Sequence, residues 1–191
     1  MNGRELIKEK VGIIRPEWFV MRDFKRFNAS DRAYSMLEEK GFEVFTPMQR
    51  KIIKKLGMTM EVNMPVIPDL LFVHSLRAPL DEVVRGTYTL TYRYPKGGDF
   101  DHPMYVIETE MDRFISVVKA VESPVYYLPH EIKPDMFGHD IQIVGGPLNG
   151  QIVTLLKSQG SKRKRFVVQL PNLLMATATL SAEDMPYVIL R

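Results

Sequence analysis

Trp18-Phe19-Val20-Met21 is an apolar run of strand length, and the apolar positions after it, Ala29, Ala33, Met36 and Leu37, recur at the three- and four-residue steps of a helix. Asn28 or Ser30 stands where that helix needs a cap, and Gly41 where it should end. Phe42-Glu43-Val44-Phe45 predicts a further strand, stopped by Pro47. Residues 50–66 predict a polar hairpin with Gly57 near its tip and residues 62–67 as the returning arm. Residues 70–74 predict a buried strand. From 87 to 94, Tyr88, Leu90, Tyr92 and Tyr94 alternate with Thr87, Thr89, Thr91 and Arg93, which puts the two sets on opposite faces of a strand. Residues 104–107 predict a short strand, and Thr109 with Asp112 a near capping box for a helix with the inward stripe Met111, Phe114, Ile115, Val118 and Val121. Together these predict a sheet with helices packed on it, an α+β sandwich.

Residues 122–138 carry three prolines and neither period, as an extended connector would. The organisation predicted is a tail at 1–15, a first domain at 16–121, a linker at 122–137 and a second domain at 138–191. The second domain reads as strands alone, at 140–144, 151–156, 165–170, 174–180 and 187–190, separated by turn-forming residues. Five short strands in so little chain predict a small closed barrel, because closure hides the sheet edges.

The 191 residues hold 26 Lys+Arg against 23 Asp+Glu, a net charge of +3 that does not by itself demand a nucleic-acid partner. Its placement says more. Basic residues gather at Arg22, Lys25 and Arg26, at Arg50, Lys51, Lys54 and Lys55, and at residues 162–165, where they would attract phosphates or equally serve as solvated turns. Cysteine is absent, which removes disulfides, thiol nucleophiles and thiolate metal sites. Apolar runs stay far below the ~20 residues that cross a bilayer, and residues 1–15 have no apolar signal region, so a soluble cytoplasmic protein without a membrane partner is expected. His74, His102, His130 and His139 lack ligand spacing, and no GxGxxG, GxxxxGK[ST] or GxSxG occurs. Asp99 and Asp101, beside Gly97-Gly98, read as a solvated loop tip. The expectation is a non-enzyme with no catalytic residue, cofactor or metal.

Trp18-Phe19-Val20, the helix ending in Lys40-Gly41-Phe42-Glu43, then Thr46-Pro47-Met48 and Pro68-Asp69-Leu70-Leu71-Phe72-Val73 resemble the N-terminal domain of the NusG transcription elongation factors. Gly138-His139-Asp140-Ile141-Gln142-Ile143-Val144 followed by Gly145-Gly146-Pro147-Leu148-Asn149-Gly150 is similar to that family's C-terminal KOW barrel. The resemblance covers about residues 16–190 in the family's order, and is nearest to specialised, UpxY-like antiterminators of surface and capsular polysaccharide operons.

The resemblance implies a NusG-like α/β sandwich followed by a five-stranded SH3-like barrel, and a regulator of elongation and termination. It implies that an apolar patch with Trp18, Ile67, Pro68, Leu70 and Phe72 grips the clamp helices of RNA polymerase. Taken alone, Trp18 is better explained as core. Leu70 and Phe72 share one strand face and Leu71 and Val73 the other, and the first pair is expected to face an open groove. Arg22, Lys25 and Arg26 would lie near non-template DNA, with Arg50 and Lys51 further candidates for DNA or nascent RNA. Gly146, Pro147 and Gly150 would shape the barrel's turn, and the barrel would recruit a ribosomal small-subunit protein or the termination factor Rho.

Three departures bear on this. Val153 stands where the KOW pattern has a glycine, Asp69 follows Pro68 where a glycine is usual, and residues 77–82 hold no counterpart of the Thr-rich segment of some specialised members. A general RNA-binding or ribosome-associated KOW protein is the alternative. A third possibility, an enzyme, rests on Tyr88, Tyr92 and Tyr94 as a substrate platform.

Overall fold

The computed structural model describes residues 15–25, 29, 31–55, 57–121, 124–157, 165–171, 173–179 and 186–190. The expected tail, the cap candidates Asn28 and Ser30, Arg26 and the basic residues 162–164 lie outside the described residues, apart from Arg15 at the tail's end. The backbone divides into two compact units, Met1–Val106 and Ile107–Arg191. The expected linker at 122–137 is not where the division falls.

The first unit runs β1 (Glu17–Asp23), α1 (Ala33–Glu39), β2 (Glu43–Phe45), β3 (Met48–Lys55), β4 (Met58–Pro65), β5 (Leu70–Ser75), α2 (Arg77–Gly86), β6 (Leu90–Tyr92) and β7 (Tyr105–Val106). Its main sheet has the order β2-β5-β1-β6, with β7 also pairing β1, and every pairing is antiparallel. The two apolar runs of the sequence form its centre: Trp18 pairs with His74, Phe19 with Val73, Val20 with Phe72 and Met21 with Leu71. One face carries the core of Phe19, Met21, Leu71, Val73, Leu90 and Tyr92 against Ala33 and Leu37 of α1 and Leu80 of α2. Burying each such large apolar side chain contributes on the order of 1.5–3 kcal/mol.

The other face is closed as well. Trp18, Val20, Leu70 and Phe72 are exposed by only 2%, 0%, 2% and 0%. This corrects the expectation of an open groove at Leu70 and Phe72. The physical reason lies in the run itself: a central strand with four consecutive apolar residues is the pattern of a strand covered on both faces, whereas a strand with one open face alternates.

Helix α1 begins without a side-chain cap from its own N-cap residue, Arg32. The cap comes from β1: Asp23 Oδ2 accepts the Ala33 N–H at 3.0 Å, filling one of the helix's unpaired donors and placing a negative charge at its positive end. Helix α2 answers to no element in the sequence reading. Thr87 and Tyr88 stay outside the strand expected at 87–94, which is reduced to three residues.

The second unit runs α3 (Glu108–Ala120), β8 (Val125–Tyr127), a 3-10 turn (Pro134–Met136), β9 (Phe137–Ile143), β10 (Ile152–Leu156), β11 (Arg165–Leu170), β12 (Leu174–Thr179) and β13 (Tyr187–Ile189). Helix α3 buries Met111, Phe114 and Val117; its N-cap is Ile107 and no side chain caps it, so the Thr109–Asp112 box does not form. The strands make one antiparallel sheet in the order β13-β9-β10-β11-β12-β8.

Among the described residues this sheet is open, which corrects the expected closed barrel. Part of the expected linker joins the sheet. Val125, Tyr126 and Tyr127 pair with Thr177, Ala176 and Met175 of β12, so the connector adds a sixth strand at one end of the sheet. The turn between β9 and β10 matches its expectation: Gly145, Gly146 and Gly150 have φ of +84°, +66° and +81°, a region other residues enter only at a cost. Asn149 Oδ1 accepts the Gly145 N–H at 2.7 Å, and the Gly150 N–H donates to the Ile143 carbonyl at 2.8 Å. Pro147 is exposed at the tip beside buried Leu148. Val153, at the anomalous position, is a buried strand residue paired with Ile141.

Candidate functional site

Three groups of side chains on the first unit were singled out by sequence. Of the apolar group, Trp18, Leu70 and Phe72 are interior. Trp18 stacks on the His74 ring with centroids 5.0 Å apart, and Phe72 lies 6.3 Å from Phe45. Ile67 is half-buried and Pro68 exposed, in the turn between β4 and β5.

The first basic group is held by acids. Arg22 Nε lies 2.7 Å from Asp69 Oδ2, and Arg93 Nη2 donates to Asp69 Oδ1 at 2.8 Å, so one carboxylate ties two guanidiniums. Burial lowers the Arg93 pKa and the Asp69 charge opposes that. Lys25 Nζ is 2.5 Å from Asp31 Oδ2, and this hydrogen bond draws the Asp31 carboxyl below the ordinary carboxylate range. Arg22 and Lys25 are therefore already engaged, and Arg22 also lies over the Phe24 ring at 5.6 Å.

Beneath them runs a buried pair that sequence reasoning missed. Arg32 Nε sits 2.9 Å from Asp23 Oδ2, and the two side chains are 4% and 1% exposed. Asp23 Oδ1 also accepts the Lys25 N–H at 2.9 Å, and Arg32 donates to the Lys25 and Pro68 carbonyls. The pair joins the end of β1, the start of α1 and the turn before β5. No periodicity could have signalled it, since both residues stand at element ends.

The second basic group differs: among the described residues its one acid contact is a long, exposed one at Arg50. β3 and β4 pair only with each other, from Met48↔Pro65 to Lys55↔Met58, and make a separate two-stranded ribbon. Gly57, with φ +79°, supplies the left-handed residue the tight tip requires. The sequence expectation of a hairpin here is met. Arg50 reaches Glu61 only at 3.9 Å with both side chains well exposed, a contact that contributes little. Among the described residues, exposed Lys51 and Lys54 have no ion-pair partner. Strand alternation separates the candidates: Arg50, Ile52 and Lys54 share one face, and Lys51 and Ile53 the other.

Residues 48–65 hold four cations and one acid, a net +3, while the rest of the chain holds 22 of each sign. The whole net charge of the molecule is thus concentrated on this ribbon.

The aromatic platform does not assemble. Tyr88 is 96% exposed, while Tyr92 is buried in the core with its hydroxyl donating to Asp81 Oδ1 at 2.7 Å. Tyr94 packs edge-on against Phe100, centroids 5.1 Å apart. Asp99 lies in the exposed loop read from sequence, where it accepts the Asp101 and His102 N–H groups and contacts the His102 ring at 2.7 Å. Among the described residues, no three His, Asp or Glu side chains converge as a metal site, and no helix is long and apolar enough to cross a membrane.

No family model matches the chain, and no curated protein matches it.

Proposed function

We propose that this chain is a NusG-like regulator of transcript elongation and termination, whose first unit engages RNA polymerase and nucleic acid and whose second unit docks another protein, a ribosomal small-subunit protein or Rho. The observation that carries the proposal is the residue-for-residue pairing of Trp18-Phe19-Val20-Met21 with Leu71-Phe72-Val73-His74: two of the segments on which the family resemblance rests form the central strand pair of one sheet. The glycine turn that carries the second half of the resemblance joins β9 to β10.

In this proposal the apolar contact with polymerase centres on Ile67 and Pro68, the members of the predicted patch that reach the surface. Arg50 and Lys54, on one face of the ribbon, supply the phosphate contacts, a sequence-independent and salt-dependent attraction. Purified full-length protein should co-elute with an assembled elongation complex. Binding to naked RNA with equal or greater affinity would favour the second reading, a general RNA-binding or ribosome-associated protein, to which Lys51 and Lys54, without an ion-pair partner among the described residues, also lend support.

A further inference from the structure

The face of the β3–β4 ribbon opposite Arg50 and Lys54 has a different chemistry. Cross-strand register brings Ile53 opposite Met60, Lys51 opposite Val62 and Lys55 opposite Met58, with Gln49 opposite Met64. Met58 and Met60 are 60% and 45% exposed, and Ile53, Val62 and Met64 are half-buried. Among the described residues the ribbon pairs with no third strand. An apolar row whose methionines Met58 and Met60 stand exposed near the ribbon's tip is the kind of surface that marks an interaction site.

We infer that this face is a docking surface for an acidic protein segment that carries apolar side chains; resting on the function proposed above, that segment belongs to RNA polymerase. Charge selects the sign of the partner. The ribbon carries the molecule's whole net +3, and Lys51 stands within the apolar row, so an acidic segment is attracted and a basic one repelled. Side-chain chemistry selects protein over nucleic acid. Residues 48–65 contain no aromatic ring on which a base could stack, and on this face the apolar positions Ile53, Met58, Met60, Val62 and Met64 outnumber the donor-bearing positions Gln49, Lys51 and Lys55. Methionine is unbranched and polarizable, and it adapts to the apolar side chains of a partner. The two faces therefore differ in their apolar content: Ile52 stands between Arg50 and Lys54 on one, and five apolar positions line the other.

The test compares four purified full-length proteins: wild type, Met60→Thr/Val62→Thr, Ile53→Thr/Met58→Thr, and Ile52→Ser on the other face. Threonine keeps strand propensity while removing apolar surface, and thermal melting checks that each protein is folded. Affinity is measured for an assembled elongation complex and for the same nucleic-acid scaffold without polymerase. Both threonine pairs should lose roughly tenfold or more in affinity for the complex and keep their affinity for the bare scaffold, while Ile52→Ser behaves as wild type in both. Wild-type affinity for the complex in both pairs would overturn the docking surface and leave the regulator standing. An equal loss on the bare scaffold would overturn it in favour of nucleic acid on this face. Failure of the wild type to bind the complex at all would overturn the regulator and this inference with it.

Discussion

Phe72 lies directly across from Val20 in the β1–β5 pair, and both side chains are completely removed from solvent. The residue on which a surface contact would most naturally be built is thus part of the interior. Phe72→Ala should destabilise the protein by about 3–5 kcal/mol, the usual cost of emptying a buried phenylalanine site. Urea unfolding checks this: the midpoint should fall with the m-value unchanged. A midpoint close to wild type would mean that Phe72 is held less tightly than its burial indicates.

Asp23 and Arg32 form a buried ion pair that also caps α1 through the Ala33 N–H. Removing one partner leaves the other charge buried and unpaired, which typically costs about 3–5 kcal/mol. Asp23→Ala should therefore destabilise as strongly as Phe72→Ala. Lys25→Ala, which breaks the contact with highly exposed Asp31, should change stability by less than about 1 kcal/mol. Thermal or urea unfolding of the two variants separates the buried pair from the surface one.

Arg50 and Lys54 share one face of the ribbon and have no strong acidic partner. If they contact phosphates of a single strand, each contributes about 0.7 to the slope of log K against log salt. Arg50→Gln/Lys54→Gln should reduce that slope by about 1.4, measured by anisotropy of a labelled oligonucleotide across a salt series. The same change made at Arg22 and Lys25, which are already paired, should reduce it less.

Burial raises the Tyr126 hydroxyl pKa to about 12, and that hydroxyl is buried without a hydrogen-bond partner among the described residues. The unfolded tyrosine titrates near 10, so between roughly pH 10 and 12 the unfolded state loses a proton that the folded state keeps, and stability falls as pH rises. Burial and the Asp81 contact raise Tyr92 in the same direction. Tyr126→Phe should leave stability at pH 7 unchanged or slightly higher, because an orphaned polar group is removed, and should lessen the alkaline loss. Unfolding curves at pH 7 and across pH 9–12 check both.

The strands of the first unit were legible because each is an apolar run or an alternation bounded by glycine or proline; Trp18 to Met21, Leu70 to Val73 and the hairpin around Gly57 all lie where the pattern puts them. Helix α2 was not legible. Leu80, Val83 and Val84 have helical spacing, but Pro79 and the charges between them interrupt the apolar pattern, and the segment has no element assigned from sequence. The open sheet of the second unit was hidden because Val125-Tyr126-Tyr127 is too short and too proline-flanked to read as a strand, and only its partner β12 makes it one. The cations of the ribbon were legible as charge, and alternation alone sets Arg50 and Lys51 on different faces; only the cross-strand register could say which β4 residues share each face. The groove was misread because alternation sorts residues between faces without saying which face is covered.

Transcription through an intrinsic terminator by purified RNA polymerase, with and without the full-length protein, tests the account most directly. Read-through should rise with protein concentration, and the protein should remain with the elongation complex through gel filtration. Unchanged termination, with no association with polymerase and tight binding to free RNA, would contradict it.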